Sequence, residues 1–375
     1  MLGIRQLPSS AELQLAAETV TMRTPLHRRL LRGAAVVLVA TSMGLAQLAP
    51  AGAWSSSDGA VAVFGGTSTD VGRSVAVDSA GNVYTTGYFV GTVDFDPGPG
   101  TVELTSNGGL DVFVSKLDSS GDLVWAKSFG NTSSDAGYSV AVDSSGNVYT
   151  TGWFSPNAAG TDFDPGPGTA ELTAVNSRQT FVSKLDSSGD YVWAKTFNGN
   201  WSYNEGHSVA VDSSGNVYTT GYWTSTFGTT DFDPGAGTAE LTGSVARDMY
   251  VSKLDSSGNY VWAKGIGGAN NDQGQSVAVD SSGNVYTTGE FWDTVDFDPG
   301  PGTVNLTSNG NTDVFVSKLD SSGDLVWAKS FGSTSNDVGY SVAVDSSGNV
   351  YTTGDFSGTV DFDPGAGTTN LTSNG

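Results

Sequence analysis

The segment SVAVDSSGNVYTTG begins at Ser139, Ser208, Ser276 and Ser341, and a copy with Ala80 for the second serine begins at Ser74, so the chain repeats at spacings of 65, 69, 68 and 65 residues. A period of this length marks an array of supersecondary units that bury their apolar faces only against one another. Each unit also carries DFDPGPGT or a near copy, at 94–101, 162–169, 231–238, 296–303 and 361–368. The first four units continue into FVSKLDSSGDLVWAK-like stretches at 113–127, 181–195, 250–264 and 315–329.

Within a unit, Ser74–Asp78 and Val83–Gly87 are short β-branched runs joined by a turn whose glycine supplies a left-handed residue, and Phe113–Leu117 and Leu123–Lys127 form a second hairpin. No helical period appears beyond the N-terminal region. Four short strands per unit carry apolar residues on both faces, among them Val75, Val77, Val124 and Trp125. Sheets covered on both sides suit blades stacked around an axis, so the expected fold is an all-β propeller of four-stranded antiparallel blades, with about five in view. A fragment of a larger propeller is the alternative, and a parallel β-solenoid is disfavoured because its repeats are shorter and lack two hairpins per turn. AVAVFGGTS at 60–68 matches the last strand and loop of a unit, WAKSFGNTS at 125–133, and could complete a blade.

SVAVDSSGNVYTTG, an acidic insert and then DVFVSKLDSSGDLVWAKSFG resemble the seven-bladed β-propeller repeat (SBBP) family of exported bacterial proteins, a relative of the NHL-type repeat. The resemblance spans 60–375 and implies a propeller without catalytic residues to carry over. DFDPG is more acidic than the family's pattern at that place.

Residues 22–53 combine a basic start (MRTPLHRRLLRG), an apolar stretch and a small-residue end (APAGA), which reads as a secretory signal peptide, with 1–21 as an upstream extension and 54–375 as the propeller. The expected location is outside a bacterial cell, secreted or surface-held, with no transmembrane segment after cleavage. No cysteine is present, so disulfides cannot staple the exported chain. Beyond residue 53 there are 11 basic and 37 acidic residues, which disfavours nucleic acid as a partner and leaves an extracellular protein or glycan.

In an extended DFDPG the two aspartates share a face and the phenylalanine takes the other. Asp-Pro-Gly is a favourable turn that accounts for the second aspartate and leaves the first without a role. The pairs Asp94 and Asp96, Asp162 and Asp164, Asp231 and Asp233, Asp296 and Asp298, and Asp361 and Asp363 are therefore candidate Ca2+ ligands, although the spacing departs from that of an EF-hand loop. No organic cofactor site is visible.

Beyond residue 53 the single histidine, His207, reads as a loop residue at a repeat junction, and most acids occur in symmetric copies that would share one environment. Glu205, Asp248, Glu290, Asp293 and Asp355 are taken as the non-repeated acids. These features favour a non-enzymatic scaffold; a glycan-acting hydrolase or lyase and a purely structural array are the alternatives. All eight lysines sit in SKLD and WAK frames, where structural pairing with acids or packing over aromatic rings is expected. Recognition is expected where copies differ. After each Thr-Thr-Gly stand Tyr88, Trp153, Tyr222, Glu290 and Asp355, each followed by an aromatic core residue. With Trp201, Tyr203, Trp292, Arg178 and Arg247, the aromatic members form the candidate ligand-binding set, read as exposed rings beside acids.

Overall fold

A computed structural model describes residues 35–38, 61–175, 177–199, 203–224 and 229–374. The described residues hold no helix. The first blade is the antiparallel sheet Val71–Val77, Val83–Phe89, Asp111–Leu117 and Leu123–Phe129, in that spatial order. The second follows with Asp135–Val142, Val148–Phe154, Gln179–Leu185 and Tyr191–Thr196. The third comprises Asn204–Val211, Val217–Thr224, Arg247–Leu254 and Tyr260–Ile266, and the fourth Gln273–Val279, Val285–Asp296, Asn305–Leu319 and Leu325–Phe331. The fifth contributes Val338–Val344 and Val350–Asp355. Successive first strands stand against one another, so they form the inner wall of the array.

The aspartate of each Asp-Ser-Ser-Gly turn closes its hairpin. Asp143 Oδ1 accepts N–H bonds from Ser145 and Asn147, both 2.9 Å, while Gly146 takes φ 80°. Its other oxygen accepts Asn147 Nδ2 and the Tyr149 hydroxyl. Burial works to raise this carboxyl, yet these bonds hold it below the ordinary range.

Each of the first three units has more than the four strands expected. After the second strand of a unit the DFDPG segment makes a small additional hairpin, as in Thr92–Asp94 with Glu103–Thr105 and Thr359–Asp361 with Asn370–Thr372. In the fourth blade the two long strands simply continue into it. The phenylalanine anchors the hairpin: Phe163 is buried at 5.1, 5.4 and 5.1 Å from the rings of Phe129, Phe154 and Phe181. Phe129 belongs to the preceding blade, so this aromatic cluster cements a blade junction. Phe64, in strand Val61–Phe64, takes the corresponding place against Phe95 and Phe113, as the match between 60–68 and 125–133 suggested.

Polar ties run across the same junctions. Ser74, Ser139, Ser208 and Ser276 each accept, at 3.1–3.2 Å, the N–H of the next blade's Val140, Val209, Val277 or Val342. Lys184 and Trp193 both donate to the Ser256 carbonyl, and Lys184 lies 5.1 Å from the Tyr149 ring centre. Lys127 and Lys264 pair with Asp190 and Asp324. Lysines thus serve as packing and pairing groups, as expected.

Both-face burial fails at three named places. Val75 is 46% exposed against 5% for Val140, because no described blade stands against that side of the first strand. Val77 is exposed on the same face, and Val124 lies on an outer strand whose copies Val192, Val261 and Val326 are exposed alike. Ala35–Leu38, inside the expected signal peptide, pairs antiparallel with Val61–Phe64; the rest of 1–60 lies outside the described residues.

Candidate functional site

Every first strand carries a bulge at the same point. Gly72 pairs with Gly87 and Ser74 with Thr86, which leaves Arg73 without a partner. The same step isolates Tyr138, His207, Gln275 and Tyr340. The glycine of each Thr-Thr-Gly makes this possible: a Cβ on Gly87, Gly152, Gly221, Gly289 or Gly354 would fall on the carbonyl oxygen of the residue two before the bulged one. A bulge re-aims its side chain. Here it points five side chains of four kinds at the axis, where with Glu205 and Ser74, Ser139, Ser208, Ser276 and Ser341 they line a cavity of about 570 Å³.

Electrostatics vary around this funnel. Arg73 donates to the Tyr88 hydroxyl at 3.4 Å and stands 5.2 Å from the Tyr138 ring centre. Trp153 Nε1 donates to the Tyr138 hydroxyl at 2.7 Å. Arg178 stacks 3.8 Å above Trp153 and donates to Glu205 Oε1 at 3.2 Å. Arg247 stacks 4.4 Å above Tyr222 and donates to Gln273. His207 lies 3.8 Å from Glu205, with Nδ1 3.1 Å from the Gly274 carbonyl. On the far side, Gln273 donates to Glu290 and Tyr340 to Asp355. Burial favours the neutral form of Glu205, but His207, Tyr222 and Arg178 hold it below the usual carboxylate range. Burial prevails at Glu290, which is pushed up despite the Thr312 hydrogen bond and the charges of Arg247 and His207.

Of the sequence-derived set, Tyr88, Trp153, Tyr222, Arg178 and Arg247 come together around the funnel. Trp153 and Tyr222 are buried, not exposed, because an arginine covers each ring. Tyr203 and Trp292 are exposed but line no part of the cavity, and Trp201 lies outside the described residues. His207 is a strand residue at a bulge, which corrects its reading as a loop position. Asp248 is no singular acid, since it pairs with Trp223 as Asp111 and Asp313 pair with Phe89 and Phe291 at the same register position of their blades. Missing from the set were Arg73, Tyr138, Gln275 and Tyr340. Their signal was the one changing letter in Gly-x-Ser-Val-Ala-Val, visible only when the copies are laid over one another.

The DFDPG hairpins lie between the same strand ends, farther out. Asp94 Oδ1 accepts N–H bonds from Asp96 at 3.0 Å and Val102 at 2.9 Å, and Asp162, Asp231, Asp296 and Asp361 do the same in their units. The first aspartate therefore has a role in the turn, contrary to expectation: it closes the loop across eight residues. The second, Asp96, caps Gly98, and its other oxygen sits where a Cβ on Gly100 would go. Asp164, Asp233, Asp298 and Asp363 repeat that cap. Among the described residues no group of three or more His, Cys, Asp or Glu could hold a metal ion.

Stacked four-stranded blades around a polar axial funnel define a β-propeller repeat protein. The model of the β-propeller repeat (SBBP) family matches at residues 63–88, 124–153, 192–225, 261–290 and 326–355, and the chain belongs to that family. Each match runs from the outer strand of one blade through the first two strands of the next. The chain is also 25% identical over 250 residues to an uncharacterized WD repeat-containing protein of Acanthamoeba polyphaga mimivirus, covering 60% of this chain and 18% of that protein. It is 32% identical over 124 residues to the regulatory protein FlaEY of Caulobacter vibrioides, covering 32% of this chain and 13% of the relative. The chain thus spans a minor part of either relative's length.

Proposed function

We propose that this protein is a non-enzymatic propeller scaffold, exported to the cell exterior, that binds an extracellular glycan or protein at the mouth of its axial funnel. The observation that carries this reading is the convergence of the non-repeated side chains. Arg73, Tyr138, His207, Gln275 and Tyr340 differ from blade to blade while the strands that hold them stay the same, and all five face one cavity. Rigid strands make such a site cheap in ordering entropy. Calcium at the DFDPG hairpins is a subsidiary part of the proposal, supported by the second oxygen of Asp94 and its copies, which takes no part in the loop-closing bonds.

The test is binding of the exported chain to arrayed glycans and peptides, repeated with a Tyr138→Ala/Tyr340→Ala variant. Loss of retained ligands in the variant supports the funnel, whereas unchanged retention places binding elsewhere. A second reading, a glycan-acting hydrolase, is favoured by one observation: Glu205 is held below the usual carboxylate range while burial raises Glu290 in the next blade, and both feel the charge of His207. Turnover of a glycan that disappears in both Glu205→Gln and Glu290→Gln would establish it.

A further inference from the structure

We propose that the ligand of the funnel is an acidic oligosaccharide, a sugar chain bearing uronate carboxylates, with Arg73 as its principal anchor and Arg247 as a second. This rests on the reading of the funnel as the binding site.

The placement of cations argues for it. Beyond residue 53 the chain has three arginines: Arg73 lines the funnel, Arg178 bonds the lining Glu205, and Arg247 stacks on Tyr222, the ring beside the lining His207, whereas every lysine belongs to a repeated structural frame. Each arginine is stacked on an aromatic ring, which fixes the guanidinium plane and lowers the entropy cost of using its remaining donors. Arg178 is neutralised by Glu205. Neither Arg73 nor Arg247 forms a direct ion pair among the described residues: Arg73 donates to a tyrosine hydroxyl, and Arg247 to Gln273, which in turn donates to Glu290, whose carboxyl feels the Arg247 charge. An arginine with no carboxylate in ion-pair contact, Arg73, and a second that reaches Glu290 only through Gln273 are a local exception on a chain that carries 37 acidic residues against 11 basic beyond residue 53. At physiological salt the screening length is about 8 Å, so that exception acts on a ligand in contact despite the net charge around it.

The rest of the lining identifies the body of the ligand. Tyr138 and Tyr340 offer rings suited to the C–H face of a sugar, while Gln275 and His207 offer donors and acceptors to hydroxyls. A uronate presents carboxylate, hydroxyls and a C–H face on one ring. An acidic peptide side chain brings only the first, and a neutral sugar leaves the guanidiniums unused. The cavity volume lies in the range of sites for small ligands.

Calorimetric titration of the exported chain with tetragalacturonate tests the inference, with a neutral galactose tetramer and a glutamate tetrapeptide as comparisons. The acidic sugar is expected to bind best. Arg73→Gln should weaken it about 10–100-fold, the loss of a hydrogen bond to a charged group, and Arg247→Gln should weaken it less. Because Arg73 is exposed and bonded only to a tyrosine hydroxyl, the unfolding midpoint should not move; if it does, the Arg247→Gln affinity decides. Equal affinity for the neutral tetramer, lost in Tyr138→Ala but not in Arg73→Gln, overturns the acidic ligand and keeps the funnel. Arginine-dependent binding of the peptide without the sugar overturns it in favour of an acidic protein. No binding of the uronate at millimolar concentration overturns it outright.

Discussion

The DFDPG hairpins and the funnel rim arise at the same end of each blade and from the same repeat, yet one is nearly identical five times and the other is never the same from one blade to the next. The hairpin residues are tied to the fold: Phe163 is the hub of a four-ring cluster, and both Asp162 and Asp164 accept backbone N–H bonds. Any departure there costs stability in a way every blade shares. At the rim the ties that recur from blade to blade are those of the glycine pair and the serine, while the bonds of the bulged residue differ with its identity. The bulged residue between them extends into the funnel, so it is free to become arginine, tyrosine, histidine or glutamine. In this repeat, sameness marks what the architecture needs and difference marks where a ligand can be read.

Substitutions can break that contrast. Phe163→Ala, in the hairpin, should cost about 3–5 kcal/mol by denaturant unfolding, since it empties a buried aromatic site at a blade junction. Gly152→Ala attacks the rim's one architectural element: its Cβ collides with the Ala136 carbonyl, so a loss of about 1–3 kcal/mol and a displaced Tyr138 are expected. A cost below about 0.5 kcal/mol would show that the bulge is soft. Asp162→Ala leaves two N–H groups without their acceptor and should cost about 1–2 kcal/mol in calcium-free buffer. The same measurement in millimolar calcium separates hairpin cap from cation ligand, because a calcium-dependent rise of the wild-type midpoint that Asp162→Ala abolishes requires a bound ion.

Acids just behind the rim give a pH signature. Burial pushes Asp272 up to about 7, and Asp111, Asp135, Asp248 and Asp313 up to about 6, from an ordinary value of 3.8, with neighbouring acids adding to the rise at Asp135, Asp272 and Asp313. A carboxyl whose folded value is raised favours the folded state when protonated, and that contribution fades as pH climbs from the unfolded value through the folded one. Thermal midpoints should therefore rise as pH falls from 8 to 5. The turn aspartates such as Asp143 and Asp212, held low, oppose this only below about pH 4. A midpoint that falls steadily from pH 8 would refute the assignment. The smallest effect belongs to His207→Tyr, which restores the residue of the second and fifth blades. Stability should change by less than about 1 kcal/mol, the worth of its bond to the Gly274 carbonyl, while ligand selectivity shifts.

The period and the β-branched runs were enough to read the blades, because strand alternation and Gly-containing turns are local, and the repeat says each unit leans on its neighbours. The turn role of the second aspartate was equally local. That of Asp94 was not, since its partner Val102 lies eight residues on, beyond a loop whose path the letters do not disclose. Val75 looked like Val140 in sequence, and only the stacking of blades distinguishes the two.

What the sequence by itself determined is the fold class, the phase of the repeat and the places where copies differ, since these follow from periodicity along one chain. Tertiary structure alone decided which of those differences meet. Trp153 and Tyr222 are hidden beneath Arg178 and Arg247, and residues spaced more than sixty positions apart come to share one funnel. The physical reason is that a bulge turns one side chain per blade toward an axis, and an axis exists only once the blades are stacked.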